Sequence, residues 1–309
     1  MRAAVYIPNH NGSQRIGRAL RSLREQSRPL DVVVVDNGSD DDSLPLLREE
    51  FPEVTVLGLE RNLGFGPAIN RAVREHPADP LILLNNDVEC EPRFVEAMLD
   101  AAEGVQSVAG VLLQERAPWL IDSAGVVADS TLMGFDYLHG EPAEAVVGAA
   151  APLGPTGGAA LYDRTAFEAV GGFDERIFLY YEDLDLALRM AAAGARCRLA
   201  ADATALHAYS ASLGAGSGQK FAHTGWSRGY MLRRYGVMSH PRLALRALAC
   251  EGTICVGQLL WDHTAKGVGG RLRGWREGGG LGRRDVGGAP LLPISAREAL
   301  ALRRRRRAD

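Results

Sequence analysis

Four consecutive valines, residues 32–35, lie between Asp31 and Asp36 and restrict the fold of this chain more than any other feature. A strand that is apolar on both sides is typical of a sheet covered by helices on both faces. Strand-like and helix-like stretches alternate four times over the first 103 residues. The strand-like stretches are residues 3–8, 31–36, 54–59 and 80–87, and the helix-like stretches are residues 16–26, 43–51, 66–76 and 91–103. This alternation predicts an α/β fold with a doubly wound, mostly parallel sheet flanked by helices.

Polar residues follow each of these four strand-like stretches, in the sequences "PNHN", "DNGSDD", "ERNLGFG" and "NNDVE". Ligands of doubly wound sheets bind beyond the carboxyl ends of the strands, so the four turns predict one ligand site. The first turn lacks the pattern G-x-G-x-x-G, which argues against a nicotinamide cofactor but leaves a nucleotide open. Asp87 in the fourth turn suits a divalent cation that bridges a diphosphate, although an Asn-Asp pair is equally common in an ordinary turn.

The remaining chain divides at about residue 217. Residues 107–156 show no convincing period, and beyond them we expect a strand at 159–162, helices at 164–170 and 180–194, and a final pair of strands at 195–210. Residues 219–264 have a helical pattern, whereas residues 265–289 are rich in Gly and Arg, which is typical of a flexible or surface-seeking segment. We therefore expect a domain of residues 1–217, followed by a helical C-terminal region of residues 218–309 with a Gly- and Arg-rich tail.

The overall charge and the cysteines argue against several classes of protein. A net charge of -3 and a pI of about 6.2 give no case for nucleic acid, because proteins that bind it are usually strongly basic. The four cysteines form no C-x-x-C pair and no zinc-like cluster, which fits a reducing compartment. The residues after Met1 do not resemble a secretion signal, so we expect a cytoplasmic protein.

Two features near the C-terminus favour a membrane surface. Residues 243–261 form the most apolar run, but Arg246 and Glu251 interrupt it, so a buried or interfacial helix is expected rather than a span. The five arginines at residues 303–307 are either a solvated tail or an anchor for anionic lipid headgroups. Together they favour peripheral contact at the inner face of the cell membrane.

The stretch "FLYYEDLDLALR" places two acids, Glu182 and Asp183, directly after aromatic residues. We call these residues, Phe178, Tyr180 and Tyr181, the aromatic wall. Apolar residues recur at helical spacing from Leu184 onwards, so a helix is expected to begin near Asp183. Asp183 is either the N-cap of that helix or a residue with chemistry of its own, because a carboxylate beside an apolar wall is costly unless its charge is paired. Asp185 and Arg189 are predicted to form a pair on the helix surface.

Seven stretches in order resemble family 2 glycosyltransferases of the GT-A fold, and among these the rhamnosyltransferase-like branch. They are "YIPNHN", "VVVVDNGSDD", "ERNLGFGPAIN", "LLNNDVE", "GPTGGAALYDRTAFEAVGGFDE", "FLYYEDLDLALR" and "ALHAYSAS", within residues 3–212. The resemblance implies an inverting transfer of a sugar, with L-rhamnose from dTDP-rhamnose favoured, to a glycan or polyprenyl-linked acceptor in cell-envelope polysaccharide synthesis. A UDP-hexose or UDP-GlcNAc transferase of the same fold, or a catalytically weak nucleotide-sugar-binding protein, is the alternative.

The resemblance also implies which residues contact the donor. A dTDP- or UDP-sugar would be bound by Pro8, Asn9, Asn11, Asp36, Asn37, Arg61, Asn62, Gly66, Asn70, Asn86 and Asp87. Asp87 lies in the D-x-D position of the family and, with His207, would hold Mg²⁺ or Mn²⁺. Asn85 replaces the first acid of that motif, so that one carboxylate rather than two faces the cation.

On the acceptor side the resemblance implies contacts from Gly157, Gly158, Tyr181 and Glu182. Asp183 would be the base that takes the proton of the acceptor hydroxyl, with Glu182 orienting the acceptor. The aromatic wall beside Asp183 would raise the pKa of its carboxyl towards useful basicity. An inverting transfer needs such a base on the acceptor side and a cation on the side of the leaving diphosphate.

Overall fold

The computed structural model describes residues 3–208 and 217–308 of the chain. Its strands are β1 (Ala4–Asn9), β2 (Asp31–Asp36), β3 (Thr55–Gly58), β4 (Leu81–Leu84), β5 (Val88–Cys90), β6 (Ser107–Gln114), β7 (Ala117–Ser123), β8 (Val126–Ala128), β9 (Gly134–Asp136), β10 (Ala159–Tyr162) and β11 (Cys197–His207). Its α-helices are α1 (Ser13–Arg24), α2 (Ser43–Glu50), α3 (Phe65–Glu75), α4 (Phe94–Ala101), α5 (Arg164–Ala169), α6 (Glu182–Ala192), α7 (Gly218–Arg234), α8 (Pro241–Leu260), α9 (Lys266–Glu277) and α10 (Ala296–Ala308). Every strand-like and helix-like stretch of the first 103 residues forms the expected element.

The central sheet has the strand order β3-β2-β1-β4-β10-β6-β11-β5, and β7 pairs with β6. Strands β1 to β4 are parallel, because each intervening helix returns the chain to the same end of the sheet. Strand β10 is antiparallel to β4 and β6, whereas β11 is parallel to β6. The predicted α/β sheet with flanking helices and a C-terminal helical region is confirmed, and its second half contains the antiparallel pairs.

Two apolar cores cover the two faces of the sheet. Successive side chains of a strand point to opposite faces, so neighbouring valines of β2 enter different cores. Val34 packs with Val5 and with α1, α2 and α4. Val33 and Val35 pack with Tyr6 and with α3, α5 and α6. The valine run is apolar throughout because both faces of β2 are covered.

The middle of the chain differs from the sequence interpretation. Strand β6 pairs with β7, β10 and β11 and is buried over its first six residues, so its sequence shows no alternation. The predicted pair of strands at 195–210 is wrong, because β11 is one strand of 11 residues with a register shift between Leu199 and Thr204. Residues 209–212, at the end of the last family-like stretch, lie outside the described part of the chain.

The Gly- and Arg-rich segment contains a packed helix, so its interpretation as a flexible segment is wrong. Helix α9 lies along α7, and glycines occupy the contact. A Cβ atom on Gly229 would lie 2.0 Å from Arg271 O, and a Cβ atom on Gly274 would lie 1.9 Å from Trp226 O. The two backbones approach each other because these positions carry no side chain.

Buried polar contacts of Arg228 join the C-terminal helices to one another and to the sheet domain. Arg228 of α7 pairs with Glu251 of α8 at 2.7 Å and also donates to the carbonyls of Thr131 and Leu132. Burial alone would raise the pKa of Glu251, but Arg228 and Arg271 lower it to about 2. Helix α7 begins at the residue where we expected the C-terminal region to begin. The separation of the chain into two domains there stays a prediction.

Candidate active site

Side-chain amides join the ends of three parallel strands. The amide of Asn86, after β4, donates to Asn9 Oδ1 at 2.7 Å, and the amide of Asn9 donates to Asp36 Oδ1 at 3.3 Å. The second oxygen of Asp36 accepts from the backbone N–H of Ser39 at 3.2 Å. Asp36 is buried, so its carboxylate fixes the strand ends and the loop after β2.

Asn37 holds the loop that precedes α3. Its Oδ1 accepts from the N–H of Leu63 at 2.8 Å, and its amide donates to Asn62 Oδ1 and Gly64 O, both at 3.0 Å. The N–H of the next residue, Phe65, donates to Phe178 O at 2.9 Å. We call this Phe65–Phe178 bond the loop latch, because it ties the loop to the aromatic wall before α6.

Gly64 is required at the loop latch for two reasons. Its φ of +95° belongs to the left-handed half of backbone space, which strongly favours glycine. A Cβ atom there would also lie only 2.4 Å from Phe178 O. Any side chain would therefore push the loop and the aromatic wall apart.

A cavity of about 1470 Å³ opens at these strand ends. Most of the predicted site residues line it, namely Pro8, Asn9, Asn11, Asn37, Asn62, Asn86, Asp87, Gly157, Gly158, Tyr181, Glu182, Asp183 and His207. The predicted residues that do not line it are Asp36, Arg61, Gly66 and Asn70. The structure therefore brings the predicted metal and acceptor residues and most of the predicted donor residues into one cavity.

Gly66 and Asn70 contact Phe173 instead of the cavity. A Cβ atom on Gly66 would lie 2.7 Å from Phe173 Cβ. The Asn70 side chain donates to Phe173 O and accepts from Phe173 N–H, both at 2.9 Å. These contacts hold α3 against the loop before α6, and a donor contact at either residue stays a prediction.

Asp87 and His207 meet at the wall of the cavity. Asp87 follows β4 and His207 ends β11, and Asp87 Oδ1 lies 3.3 Å from His207 Nε2. Two adjacent ligands of one octahedral cation, each at about 2.1 Å from it, lie about 3 Å apart. The pair therefore fits two positions of a divalent-cation shell. The described residues contain no group of three or more His, Cys, Asp or Glu side chains that would hold a metal, so the diphosphate and water would supply the other ligands.

Asp122, which sequence reasoning missed, orients His207 from the opposite side. Asp122 Oδ2 lies 2.6 Å from His207 Nδ1. Burial opposes a positive charge on His207, but hydrogen bonds with Asp122 and Asp87 raise its pKa to about 10. A histidine held in this way by a carboxylate would present its other nitrogen to a metal in a fixed direction, once the cation displaces the proton that this nitrogen shares with Asp87. Asp122 lies near the end of β7, in a region whose sequence has no clear hydrophobic period. The one sequence feature that could indicate its role is an acid at the end of a strand.

The helix after the aromatic wall begins at Glu182, one residue before Asp183. Tyr181 is its N-cap, with φ of +70°, and Tyr180 before it has φ of +68°. Two successive non-glycine residues in this region are strained, which is typical of functional sites. The N-cap interpretation of Asp183 is therefore wrong. Its Oδ1 accepts from the N–H of Leu184 at 2.7 Å, and its Oδ2 accepts from the N–H of Gly157 at 3.4 Å.

Glu182, beside Asp183, has a different environment. Its carboxyl is buried at the cavity wall, and its Oε2 has no hydrogen-bond partner in the described part of the chain. Burial raises the pKa of Glu182 well above its ordinary value, and the charge of Asp183 raises it further. Two adjacent carboxyls in such different environments are suited to different roles.

Asp185 is buried, so its assignment to the helix surface is wrong. Its Oδ2 accepts from Arg189 Nε at 2.8 Å, as the spacing suggested. Its Oδ1 accepts from Tyr235 Oη at 2.9 Å and also pairs with Arg284. The residue thus connects α6 to the C-terminal region, a contact that no local sequence pattern indicates.

Comparisons with known proteins agree with this geometry. The profile of the family described as "Glycosyl transferase family 2" matches residues 4–171. An N-acetylglucosaminyl-diphospho-decaprenol L-rhamnosyltransferase of Mycobacterium tuberculosis is 32% identical over 224 residues, which cover 62% of this chain and 70% of that protein. The O-antigen biosynthesis protein RfbC of Myxococcus xanthus is 28% identical over 225 residues, which cover 68% of this chain and 18% of that protein.

Solved structures share the fold. A mannosyltransferase of Pyrobaculum calidifontis in complex with GDP-Man and Mn²⁺ has a TM-score of 0.52 and 18% identity, with 90% of this chain and 85% of that chain covered. GalNAc-T7 with UDP, GalNAc and Mn²⁺ has a TM-score of 0.60 and 14% identity, with 92% and 55% covered. The expected GT-A fold and the expected family are thus confirmed. The chain belongs to glycosyl transferase family 2, and it is a glycosyltransferase.

Proposed function

We propose that this enzyme transfers L-rhamnose from dTDP-rhamnose to a polyprenyl-linked acceptor, with inversion at the anomeric carbon. The observation that carries the proposal is that Asp87 and His207 line the same cavity as Glu182 and Asp183. The first pair suits the diphosphate of a donor, and the second pair suits the hydroxyl of an acceptor. The sugar and the acceptor class are those in the name of the mycobacterial relative.

On the donor side, Asp87 and His207 would hold Mg²⁺ or Mn²⁺, which neutralises charge on the leaving diphosphate. The strand ends at Pro8, Asn9 and Asn37 would contact the base and ribose. The amide network through Asn86 and Asp36 fixes these groups before the donor binds. Such preorganisation lowers the cost of aligning the reacting atoms.

On the acceptor side, Asp183 would take the proton of the attacking hydroxyl. The hydroxyl oxygen bonds to the anomeric carbon while the bond from that carbon to the diphosphate oxygen breaks, and the nucleoside diphosphate leaves with the electron pair. The backbone N–H groups of Leu184 and Gly157 favour the ionised form of Asp183, which a base requires. The Gly157 contact also connects the base to the donor side, because Gly158 O accepts from the N–H of Asn85 at 3.4 Å.

Two alternatives use the same site. A UDP-hexose or UDP-GlcNAc transferase would differ from the proposed enzyme in the pockets for the nucleobase and the sugar. The cation site and the catalytic base would be the same. A catalytically weak nucleotide-sugar-binding protein is favoured by Asn85, which stands where the family has an acid. The pairing of His207 with both Asp87 and Asp122 supports the enzyme, because a cation would keep two protein ligands, Asp87 and His207, without an acid at residue 85.

We further propose that the enzyme docks on an anionic membrane leaflet on the cytoplasmic side through α8. By length and mean hydropathy (1.4) α8 could cross a membrane, but those properties are weak evidence, and 28% of its most apolar window is buried against the protein. Its outer face exposes large apolar side chains, at Leu245, Leu248, Val256, Leu259 and Leu260. Exposed Arg242 lies on α8 itself, and exposed Arg273 lines the same cavity as Val256. An apolar stripe flanked by cations matches the boundary between acyl chains and acidic headgroups.

The proposed function is tested by transfer with purified enzyme and Mn²⁺. dTDP-rhamnose, UDP-glucose and UDP-GlcNAc are each supplied with N-acetylglucosaminyl diphosphate linked to a polyprenol. We expect rhamnose transfer, with inverted configuration in the product. Transfer from a UDP-sugar but not from dTDP-rhamnose would show that the donor is the UDP-sugar. Tight dTDP binding without transfer or hydrolysis would favour the binding protein.

A further inference from the structure

The cavity continues well past Glu182 and Asp183 into the C-terminal region. Its far half is lined by Lys220 and His223 of α7, Val256 of α8, Trp261 just after α8, and Arg273 of α9. Arg303 of α10 and Asp262 also lie there, so the described cations outnumber the acid. The donor groups at the strand ends do not reach this half, and the transfer chemistry described above gives it no role.

Lys220 and His223 are one helical turn apart and face the aromatic wall. The His223 ring stacks on Phe178 with 4.9 Å between ring centres. Lys220 Nζ lies 5.9 Å from the centre of the Tyr180 ring. Burial lowers the pKa of His223, and the charge of Arg273 lowers it further. Lys220 and His223 thus lie beside the wall that leads to Glu182 and Asp183, and Arg273 lines the same cavity.

The cavity therefore presents three kinds of chemistry. Carboxyls at Glu182 and Asp183 adjoin the aromatic wall, Lys220 and His223 contact that wall from α7, and the apolar residues Val256 and Trp261 lie on and just after α8. Val256 also belongs to the exposed face of α8 and is 51% exposed, so the cavity opens beside that face. A sugar attached through a diphosphate to a polyprenol has three matching parts: hydroxyls, two phosphates and an apolar chain.

We propose that Lys220, His223 and Arg273 form a subsite for the diphosphate of the acceptor. This subsite is distinct from the cation site for the donor diphosphate, and it rests on the proposed use of a polyprenyl-diphosphate acceptor. Arginine and lysine recognise phosphate through charge-assisted hydrogen bonds, and the neutral His223 ring supplies an N–H donor. The subsite places the acceptor sugar at Glu182 and Asp183, and the lipid chain of the acceptor extends along α8.

Two acceptors that differ only in the linker test this subsite. One is N-acetylglucosaminyl diphosphate with a short alkyl chain, and the other is the neutral alkyl glycoside with the same sugar and chain. We expect the native enzyme to prefer the diphosphate in kcat/KM, and Arg273→Glu to reduce that preference by about 10-fold or more. The matched control is Arg276→Glu on the same helix, which is exposed and does not line the cavity. It should leave the preference unchanged.

Calorimetry with the diphosphate probe separates this subsite from the proposed reaction. Arg273→Glu should weaken binding of the probe by about 10-fold or more, whereas dTDP binding stays native. Equal probe affinity in Arg273→Glu, Arg276→Glu and the native enzyme would overturn the subsite, whether or not transfer occurs. Normal probe binding that depends on Arg273, without transfer of any sugar, would instead overturn the proposed reaction and leave the subsite supported.

Discussion

At the scale of single residues, Glu182 and Asp183 show how neighbouring carboxyls acquire different properties. Asp183 accepts hydrogen bonds from two backbone N–H groups, whereas Glu182 is buried and its Oε2 has no partner among the described residues. The first arrangement favours a charged group and the second a neutral one. The proposed division of roles, with Asp183 as base and Glu182 as acceptor contact, follows from this contrast.

We expect Asp183→Asn to lower kcat by about 10²-fold or more while leaving dTDP affinity and the melting temperature near native values. Asparagine keeps the size and one hydrogen-bonding oxygen but cannot take a proton. Sugar transfer, dTDP calorimetry and thermal unfolding measure the three quantities. Native turnover in this variant would exclude Asp183 as the base.

Glu182→Gln is the matched comparison. The difference in stability between this variant and the native enzyme should depend on pH. A carboxyl whose pKa is raised in the folded state stabilises the fold below its unfolded pKa and loses that contribution as the pH rises. The melting temperature of Glu182→Gln relative to the native enzyme should therefore increase between pH 4 and pH 8, on the order of a few degrees. A constant difference over this range would show that Glu182 is charged in the folded enzyme. A greater loss of turnover than in Asp183→Asn would move the base to Glu182.

The cation site should distinguish a ligand from the residue that orients a ligand. Asp87→Ala should remove most divalent-dependent activity, and EDTA should inactivate the native enzyme until Mn²⁺ or Mg²⁺ is restored. Asp122→Asn should retain activity at saturating Mn²⁺ but require about 10 to 100 times more of it, because His207 loses its orientation. Activity as a function of Mn²⁺ concentration gives both results. Full turnover in EDTA would contradict the role of the cation.

At the scale of elements, the contact between α7 and α9 depends on glycine. We expect Gly274→Ala to destabilise the fold by about 1–3 kcal/mol or more, because its Cβ atom would lie 1.9 Å from Trp226 O. Gly269→Ala on the same helix is the control, since a Cβ atom there would meet no atom of the described residues within 4 Å. Alanine should stabilise that position by about 0.5–1 kcal/mol. Urea unfolding of both variants tests the contact, and equal effects would contradict it.

The elements also show what could be predicted from the sequence. The valine run of β2 and its neighbours were predictable, because residues buried on both faces leave a continuous apolar signal. Strand β6 is buried in the same way, but small residues such as Ala109 and Gly110 weaken its signal. The glycines of α9 indicated flexibility in the sequence. Their role in close packing could not be predicted, because it depends on α7, a helix distant in sequence. Asp122 and Asp185 were missed or misplaced for the same reason: their partners come from distant elements.

At the scale of the whole molecule, the exposed face of α8 should control membrane binding. The native enzyme should sediment with vesicles that contain phosphatidylglycerol, and less so with neutral vesicles or at high salt. Replacing Leu245, Leu248 and Leu259 together by Gln should abolish sedimentation without unfolding, because these side chains are exposed. Trp119→Gln removes an equally exposed apolar group on β7 and should have no effect. Equal sedimentation of all three proteins would exclude docking through α8, and no binding by any would favour a soluble acceptor.

The loop latch connects the donor loop to the acceptor wall through one backbone bond, Phe65 N–H to Phe178 O. A nucleotide that restricts residues 62–65 also restricts Phe178, on which His223 stacks. The acceptor then meets a wall that has already lost its conformational freedom, so it should bind the nucleotide complex more tightly than the free enzyme. Calorimetry of the acceptor with and without dTDP and Mn²⁺ measures this coupling, and identical affinities would contradict it. With this coupling, the enzyme would bind its substrates in a fixed order, with the nucleotide sugar first. The bound donor would restrict the acceptor wall before the acceptor binds.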